Sequence, residues 1–460
     1  MAAAFADALR SLVGPAFVSD DEATRRAYGV DALGIGHPAD LVVRPANTAE
    51  IAGIARLCHE HRIPLVVRGA GTGYTGGAVP TAGGVVLSME RLDRIIEIDE
   101  VNLLAVVEPN VITGDLQRAV EAVGLFYPPD PASLDTSSIG GNVAECAGGP
   151  RAFKYGVTRR YVLGLEAVLP TGEIIRTGSK AVKNVVGYDL TQLLVGSEGT
   201  LAIITRITLR LIPKPPAYRT ALATFTGIQG AVDAVSALVA RRVIPAALEL
   251  IDQDSIEAVQ QHTGEALVPA GTGAVLILET DGTPAAVEEE MARAADACRA
   301  AGALAVTAAA SDAERDRIWA VRRAVSLALK ATGLTKVNHD VVVPRGRVPD
   351  LFAVVADLRA RHGLRIASFG HAGDGNIHVN IMIDGSDPDA RARATAAERT
   401  LFEQVVALEG SISGEHGIGF AKKPYIGLEL SPDEIALMRR VKAAFDPRGI
   451  LNPGKMFPDA

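Results

Sequence analysis

Residues 63–80, IPLVVRGAGTGYTGGAVP, open with a buried-strand pattern from Pro64 to Val67 and run into five glycines between Gly69 and Gly77. A loop this free of side chains lets backbone N–H groups converge on an anion. Gly71, Gly73 and Gly76 satisfy the spacing G-x-G-x-x-G. The dinucleotide-binding use of that spacing needs glycines that open a helix and an acidic residue ending the next strand. Here Gly77 leads instead to Pro80, then Gly83 and Gly84, then a second strand from Val85 to Met89. The stretch therefore reads as a strand–loop–strand phosphate clamp, a glycine-rich hairpin. Plain turn chemistry would give the same glycines. Two further runs weigh against that: SSIGGNVAECAGG at 137–149, read as a second glycine loop, and Gly196-Ser197-Glu198-Gly199-Thr200 ahead of a strand from Leu201 to Leu211. Three such runs predict a ligand gripped along its length.

The chain has 460 residues, too many for one core, with 46 Lys+Arg against 54 Asp+Glu and a net charge of −8. No basic stripe with interleaved aromatics occurs, so a nucleic-acid partner is not expected. Cys58, Cys146 and Cys298 form neither a C-x-x-C pair nor a disulfide framework, as expected of a reducing, cytoplasmic compartment. The start, MAAAFADALRSLVG, lacks a basic leader and carries Asp7 within its apolar stretch, so it reads as a short amphipathic helix. No apolar run reaches bilayer length, so no transmembrane segment is expected and any membrane association would run through a partner.

Apolar spacing organises the rest. Leu41 to Arg44 reads as a strand, and Thr48 as the cap of a helix from Ala49 to His61 with Ile51, Ile54, Ala55 and Cys58 on one face. Ala105 to Glu108, Gly164 to Leu169 and Leu201 to Ile212 read as strands. Pro213, Pro215 and Pro216 then set a domain boundary. Beyond it, strands from Thr220 to Phe225 and Ala246 to Ile251 flank a helix from Ala231 to Arg241. Strands from Ala274 to Thr280 and Ala303 to Ala308 flank a helix from Ala285 to Ala301. The expected class is α+β: a helical segment at 1–37, a ligand-binding domain at 38–215, a cap domain with an antiparallel sheet at 216–430, and a segment at 431–460 that returns to the first domain. Ser431 caps that last segment, with Pro432 at its first helical position.

The reactive groups concentrate in HAGDGNIHVN, residues 371–380. Gly373 to Asn376 is turn-forming between apolar strands, so a hairpin would set His371 opposite His378, with Asn380 on the same face as His378. Asp374 fits an Asx-type turn bond. Glu415, in SGEHG, is the candidate third ligand of a two-histidine, one-carboxylate metal site. Histidines that only cap the turn, with a solvated Glu415, fit the spacing as well.

The motifs RGAGTGYTGG, IGGNVAECAGG, KYGVT, NVVGYDL, GSEGTL, HAGDGNIH, SGEHGIG and FDPRGILNPGK together resemble one family over nearly the whole chain. It is the vanillyl-alcohol oxidase superfamily, in its D-2-hydroxy-acid dehydrogenase branch: D-lactate dehydrogenases, glycolate oxidase flavin subunits and D-2-hydroxyglutarate dehydrogenases. The resemblance implies a two-part FAD-binding domain and an α+β cap carrying the substrate. It implies FAD contacts at Arg68, Gly69, Gly71, Thr72, Gly73, Gly76, Gly77, Pro131, Ser138, Ile139, Gly140, Gly141, Asn142, Ala144, Glu145, Gly148, Gly149, Tyr155, Gly156, Glu198, Gly199, Ile203 and Asn452. Thr72 stands where covalent members carry histidine, so non-covalent FAD is implied. Cys146 replaces a common asparagine and is expected to pack as a small thiol. The resemblance also supports His371, His378 and Glu415 as ligands of zinc or another divalent metal such as manganese.

The chemistry this implies is loss of hydride from C2 of a 2-hydroxy acid to flavin N5, and of a proton from its hydroxyl. A divalent metal lowers the hydroxyl pKa. His416 is the candidate base, or else a group orienting Glu415, and Asn380 completes the catalytic set. Arg322 is implied to hold the substrate carboxylate, with Ser326, Lys336 and Asn338 near the positions that grip acid groups in 2-hydroxyglutarate-type relatives. Counting back from Asp340 gives the neutral Asn338 where a lysine would serve a diacid. Unless Lys336 reaches round, a small monocarboxylate, D-lactate or glycolate, is favoured over D-2-hydroxyglutarate. No iron–sulfur spacing occurs, so electrons are expected to leave to a separate acceptor: an electron-transfer flavoprotein, a quinone, a cytochrome or a partner subunit, as in a multi-subunit glycolate oxidase. A homodimer is left open.

Overall fold

The computed structural model describes residues 3–265 and 268–458. The first two residues of the N-terminal segment and the last two of the C-terminal one lie outside these. The chain divides into unit 1 (Met1–Gly148, Val157–Lys214, Glu415–Ala460) and unit 2 (Gly149–Gly156, Pro215–Gly414). The chain passes from unit 1 to unit 2 between Lys214 and Pro215. The return to unit 1 comes at Glu415 rather than 431, and residues 149–156 go with unit 2. Nor is the N-terminal helix Ala3–Val13 a separate piece: Phe5, Leu9 and Val13 share one core with Ile51, Ile54, Cys58 and Leu65. Each such buried side chain contributes about 1.5–3 kcal/mol of hydrophobic stabilisation.

Unit 1 holds two main sheets. In the first, the order is Val18–Ser19, Leu41–Val43, Val85–Ser88, Leu65–Arg68. Leu65–Arg68 runs parallel to Val85–Ser88, Leu65 facing Val85, so the glycine run is a crossover and the expected hairpin is not formed. Gly84 permits the re-entry, with φ +84° at a point where a Cβ would run into the Pro64 carbonyl. Helix Thr48–His61 begins one residue earlier than expected because Asn47, not Thr48, caps it, its Oδ1 accepting from Glu50 N at 3.0 Å. The second sheet is antiparallel, in the order Ile95–Asp99, Leu104–Val107, Ile203–Arg210, Val162–Val168, Ile174–Gly178.

The second glycine run is not a loop. Residues Ile139–Glu145 form a helix, capped by Ser138, whose Oγ accepts from Gly141 N at 3.3 Å. Gly140 stands there because a Cβ would lie 2.5 Å from Pro109 Cβ, so helix and loop touch backbone to ring. Cys146 ends the helix at φ 60°, a left-handed position that suits asparagine or glycine better than a thiol. The closing helix Pro432–Phe445 has the expected Ser431 cap, completed by Glu434 as a capping box.

Unit 2 is built on a seven-stranded antiparallel sheet in the order Ala305–Ala308, Ala217–Phe225, Ala274–Gly282, Ala247–Asp252, Arg365–His371, Asn376–Ile383, Thr335–Val342. Helices Gln253–Thr263 and Asp312–Ala331 cover one face, with Val259, Trp319, Val325 and Leu329 packed on Ala247, Ile251, Ile277, Ala367 and Phe369. Register then aligns polar residues on that covered face. Asp340 pairs His378 and Asn338 pairs Asn380; on the neighbouring strands Phe369 pairs His378 and His371 pairs Glu249. An apolar sheet face with one polar end is how a core becomes a site.

Candidate active site

The turn Ala372–Gly375 joins the strands that carry both histidines, and Asn376 N donates to Asp374 Oδ1 at 3.2 Å, the expected Asx bond. His371 faces Asn376, not His378, so the histidines are diagonal rather than directly opposite. They still meet: their ring centroids are 5.3 Å apart and nearly perpendicular. A ring nitrogen of each lies within 4.8 Å of the other's, close enough for one ion.

What orients His371 is a residue the sequence reading missed. Glu249 Oε1 lies 2.6 Å from His371 Nδ1, which leaves Nε2 as the ring nitrogen that could serve a metal. The other Glu249 oxygen accepts from Arg322 Nε at 2.5 Å. Burial alone would raise the Glu249 carboxyl, but Arg322 and His371 outweigh it and hold it at about 2. Its signal was an acid inside the apolar run 246–251, AALELI. Asp340 was missed in the same way. It accepts from Asn376 Nδ2 at 2.6 Å and Gly414 N at 2.9 Å, and lies 4.0 Å from His378 Nδ1. Glu415 follows Gly414 in the chain and belongs to unit 1.

The four expected substrate residues gather around this point. Arg322 and Ser326 are one turn apart on helix Asp312–Ala331, and Lys336 and Asn338 alternate on the adjacent strand. The Arg322 guanidinium is buried over the Phe369 ring at 4.8 Å. Its Nη atoms make no hydrogen bond among the described residues. Asn338 Nδ2 donates to Asn380 Oδ1 at 2.8 Å, and Asn380 Nδ2 in turn holds the backbone of Ala367 at 3.1 Å. Lys336 does reach round: its ammonium lies 2.7 Å from Ser326 Oγ.

In unit 1 the first glycine run forms a cradle. Gly71 and Gly76 have φ of +72° and +80°, and a Cβ on Gly69 would run into Ser138 Oγ at the start of helix Ile139–Glu145. The loop therefore approaches the start of that helix with backbone alone, and it is the loop's N–H groups that are left to a phosphate, since the first four of the helix go to Val111 O, Pro109 O, Ser138 Oγ and Ser138 O. Arg68 sits beneath, its Nη1 donating to Val30 O at 2.6 Å. Two buried carboxylate oxygens nearby, Asp31 Oδ2 and Glu145 Oε2, have no hydrogen-bond partner among the described residues, as a cradle shaped for a ligand with hydroxyl or N–H donors would leave them. The residues fit FAD. Substituting Gly76→Ala would put a Cβ into the Phe420 ring at a left-handed φ. FAD affinity should fall about 10–100-fold by fluorescence titration of the apoprotein; wild-type affinity would show that the loop is not the cradle.

The loop bearing Glu415 and His416 lies on this cradle. His416 stacks on Tyr74 at 5.3 Å, and Thr75 Oγ1 donates to His416 O at 3.1 Å. His416 Nε2 lies 3.9 Å from Glu415 Oε1, and Gly148 lacks the Cβ that would sit 2.6 Å from Glu415 Oε2.

Other expected FAD residues are placed as follows. Thr72, Gly73 and Gly77 lie in the cradle loop, and Ala144 in the facing helix. Pro131 and Ile203 are buried in unit 1. Asn142 Nδ2 is held by Thr113 Oγ1 at 2.7 Å, so its side chain supports the helix. Gly199 has φ +64° beside Asn452, whose Nδ2 donates to Gly77 O and Glu198 O at 3.0 and 2.7 Å. Gly149, Tyr155 and Gly156 belong to unit 2, where Tyr155 Oη donates to Asp281 at 2.6 Å. Among the described residues no helix is long and apolar enough to cross a membrane.

Residues 39–178 match the FAD binding domain, and residues 214–456 match the family described as FAD linked oxidases, C-terminal domain. The chain is 44% identical to the glycolate oxidase subunit GlcD of Bacillus subtilis, over 96% of this chain and 94% of that one. It is 41% identical to GlcD of Escherichia coli K12, over 91% and 83%. Identity to the D-lactate dehydrogenase of Archaeoglobus fulgidus is 38%, over 90% and 91%. The same architecture is found in p-cresol methylhydroxylase with substrate bound, at a TM-score of 0.81, 19% identity and coverage of 98% and 96%. It recurs in 4-ethylphenol oxidase from Gulosibacter chungangensis, at 0.80, 21% identity and coverage of 99% and 97%.

Proposed function

Because the chain belongs to the family of FAD-linked oxidases, we propose that it oxidises a small D-2-hydroxy acid, glycolate or D-lactate, to the 2-oxo acid. Arg322 carries this reading. A guanidinium, buried and held at Nε by Glu249, keeps its two Nη ends for a planar anion, which is how a carboxylate is recognised. The relatives named as glycolate oxidase subunits and D-lactate dehydrogenases support the substrate class.

FAD, which Thr72 could not hold covalently for want of a ring nitrogen, would supply the hydride acceptor. His371, His378 and Glu415 would hold a divalent metal, zinc or manganese, which would supply the Lewis acidity that makes the hydroxyl acidic near neutral pH. The chain's own residues do the rest. Arg322 binds the carboxylate and fixes which face of C2 is presented. His416 takes the hydroxyl proton at its ring. Asn380, locked by Asn338, orients the substrate oxygen. Electrons leave to a separate acceptor, and the name of the GlcD relatives favours a partner subunit. Anaerobic bleaching of the flavin band with a panel of D- and L-2-hydroxy acids tests the reading; no bleaching by any D-acid, with zinc or manganese added, would reject it.

Lys336 favours a second reading, D-2-hydroxyglutarate. Burial, with Lys330 adding to it, pushes its ammonium down to about 8. A second carboxylate would bind its protonated form, so the KM of a diacid should rise as pH climbs through about 8 while that of glycolate does not. Lys336→Met should then cut kcat/KM for a diacid about 10–100-fold and leave glycolate nearly unchanged. Equal, small effects on both substrates would retire this reading.

A further inference from the structure

Two carboxylates buried in unit 1, both among the expected FAD residues, are given no proton or hydride to handle above, and one of them has its oxygens turned to the protein backbone. Glu198 sits at the tip of the Gly196–Gly199 turn with φ 52°, and Glu145 ends helix Ile139–Glu145. Glu198 Oε1 accepts from Ile418 N at 2.8 Å, and Oε2 accepts from Gly419 N at 2.6 Å. Both donors lie just after His416. Gly417, at φ +76°, passes so close that a Cβ would run into Glu145 and lie 3.0 Å from Glu198 Cδ.

The same point ties distant motifs together. Lys455 Nζ donates to Gly77 O at 2.8 Å and Asn452 Oδ1 at 2.7 Å, and Met456 N donates to Gly419 O at 2.8 Å. Phe420 N and Ala421 N both donate to Thr75 O, at 3.0 and 3.2 Å. Burial raises the Glu198 carboxyl as well, but its two N–H bonds and nearby lysines pull against that, whereas Glu145 Oε2 accepts no hydrogen bond among the described residues, so Glu198 is the better-held anion of the pair. Burial, then Glu198 and Asp31 beside it, raise Glu145 well above the carboxylate range.

We propose that Glu198 is a positioning residue for Glu415 and His416. Its carboxylate grips the 418–419 backbone with both oxygens, so that the two side chains before it are presented in one arrangement. A loop with glycines at 417 and 419, both at positive φ, has no stiffness of its own. Charge-assisted bonds in a buried setting supply it. The inference rests on the proposed roles of Glu415 and His416.

The test compares wild-type holoprotein with Glu198→Gln. Amide exchange at Ile418 and Gly419 should be about tenfold faster or more, because one anionic acceptor becomes a neutral amide. At saturating hydroxy acid, anaerobic flavin reduction should slow about 10–100-fold with FAD content unchanged. Should Glu198→Gln fail to fold, Glu198→Asp, one methylene shorter, is read by the same two measurements. Unchanged exchange would overturn the proposal. So would loss of FAD with unchanged exchange, or faster exchange with an unaltered reduction rate. If no hydroxy acid bleaches the wild-type flavin, the substrate assignment fails while the exchange comparison still decides whether Glu198 holds the loop.

Discussion

Arg322→Met should lower kcat/KM for 2-hydroxy acids by roughly 10²–10⁴-fold, and leave turnover of the corresponding primary alcohols within a few fold. The asymmetry is the point. The alcohol has no carboxylate to lose, so equal losses on both substrates would reject Arg322 as the clamp. A second consequence follows from burial. Glu249 is fully buried between Arg322 and His371. Removing Arg322 alone strands that charge, at a cost of about 3–5 kcal/mol in stability. The double variant Arg322→Met with Glu249→Gln should recover much of the stability and none of the acid specificity. A thermal melt beside the kinetics separates the effects. Arg322→Lys should restore little, because an ammonium's three N–H bonds diverge from one nitrogen and cannot present a planar pair to a carboxylate while one of them holds Glu249.

Glu415→Gln and His378→Ala should each remove bound metal and slow anaerobic flavin reduction by about 10²–10⁴-fold, while FAD stays bound. Elemental analysis alongside stopped-flow reduction checks both at once. Full metal content and full rate in both variants would reject the site. The Glu249 contact predicts a graded third case. Glu249→Ala leaves all three ligands in place but frees the His371 ring, so metal affinity should fall about 10–100-fold. Chelation followed by added zinc or manganese should restore wild-type activity.

The reach of the sequence is clearest where chemistry is local. The strand–glycine signal at Leu65–Gly77, the proline break before the second unit, the Ser431 cap and the Asx turn at Asp374 all depend on residues within a few positions of one another. Period-2 alternation likewise put His378 and Asn380 on one face. Errors arose where a local pattern has two solutions. Glycines at 140 and 141 read as a loop, yet serve close packing of a helix on Pro109. The Leu65 and Val85 strands read as a hairpin, yet pair in parallel, because only the other strands of the sheet fix direction.

By itself, then, the sequence determined the class of cofactor fold, the family and the short list of reactive side chains, since these reside in residue type and spacing. Only the tertiary structure decided which buried acids serve them. Glu249 is brought to His371 by strand register across 122 positions and to Arg322 by helix packing across 73, and Glu198 reaches Ile418 across 220. No periodicity links such residues. A buried carboxylate is tolerated only where distant donors meet it, and that meeting is a property of the packed chain.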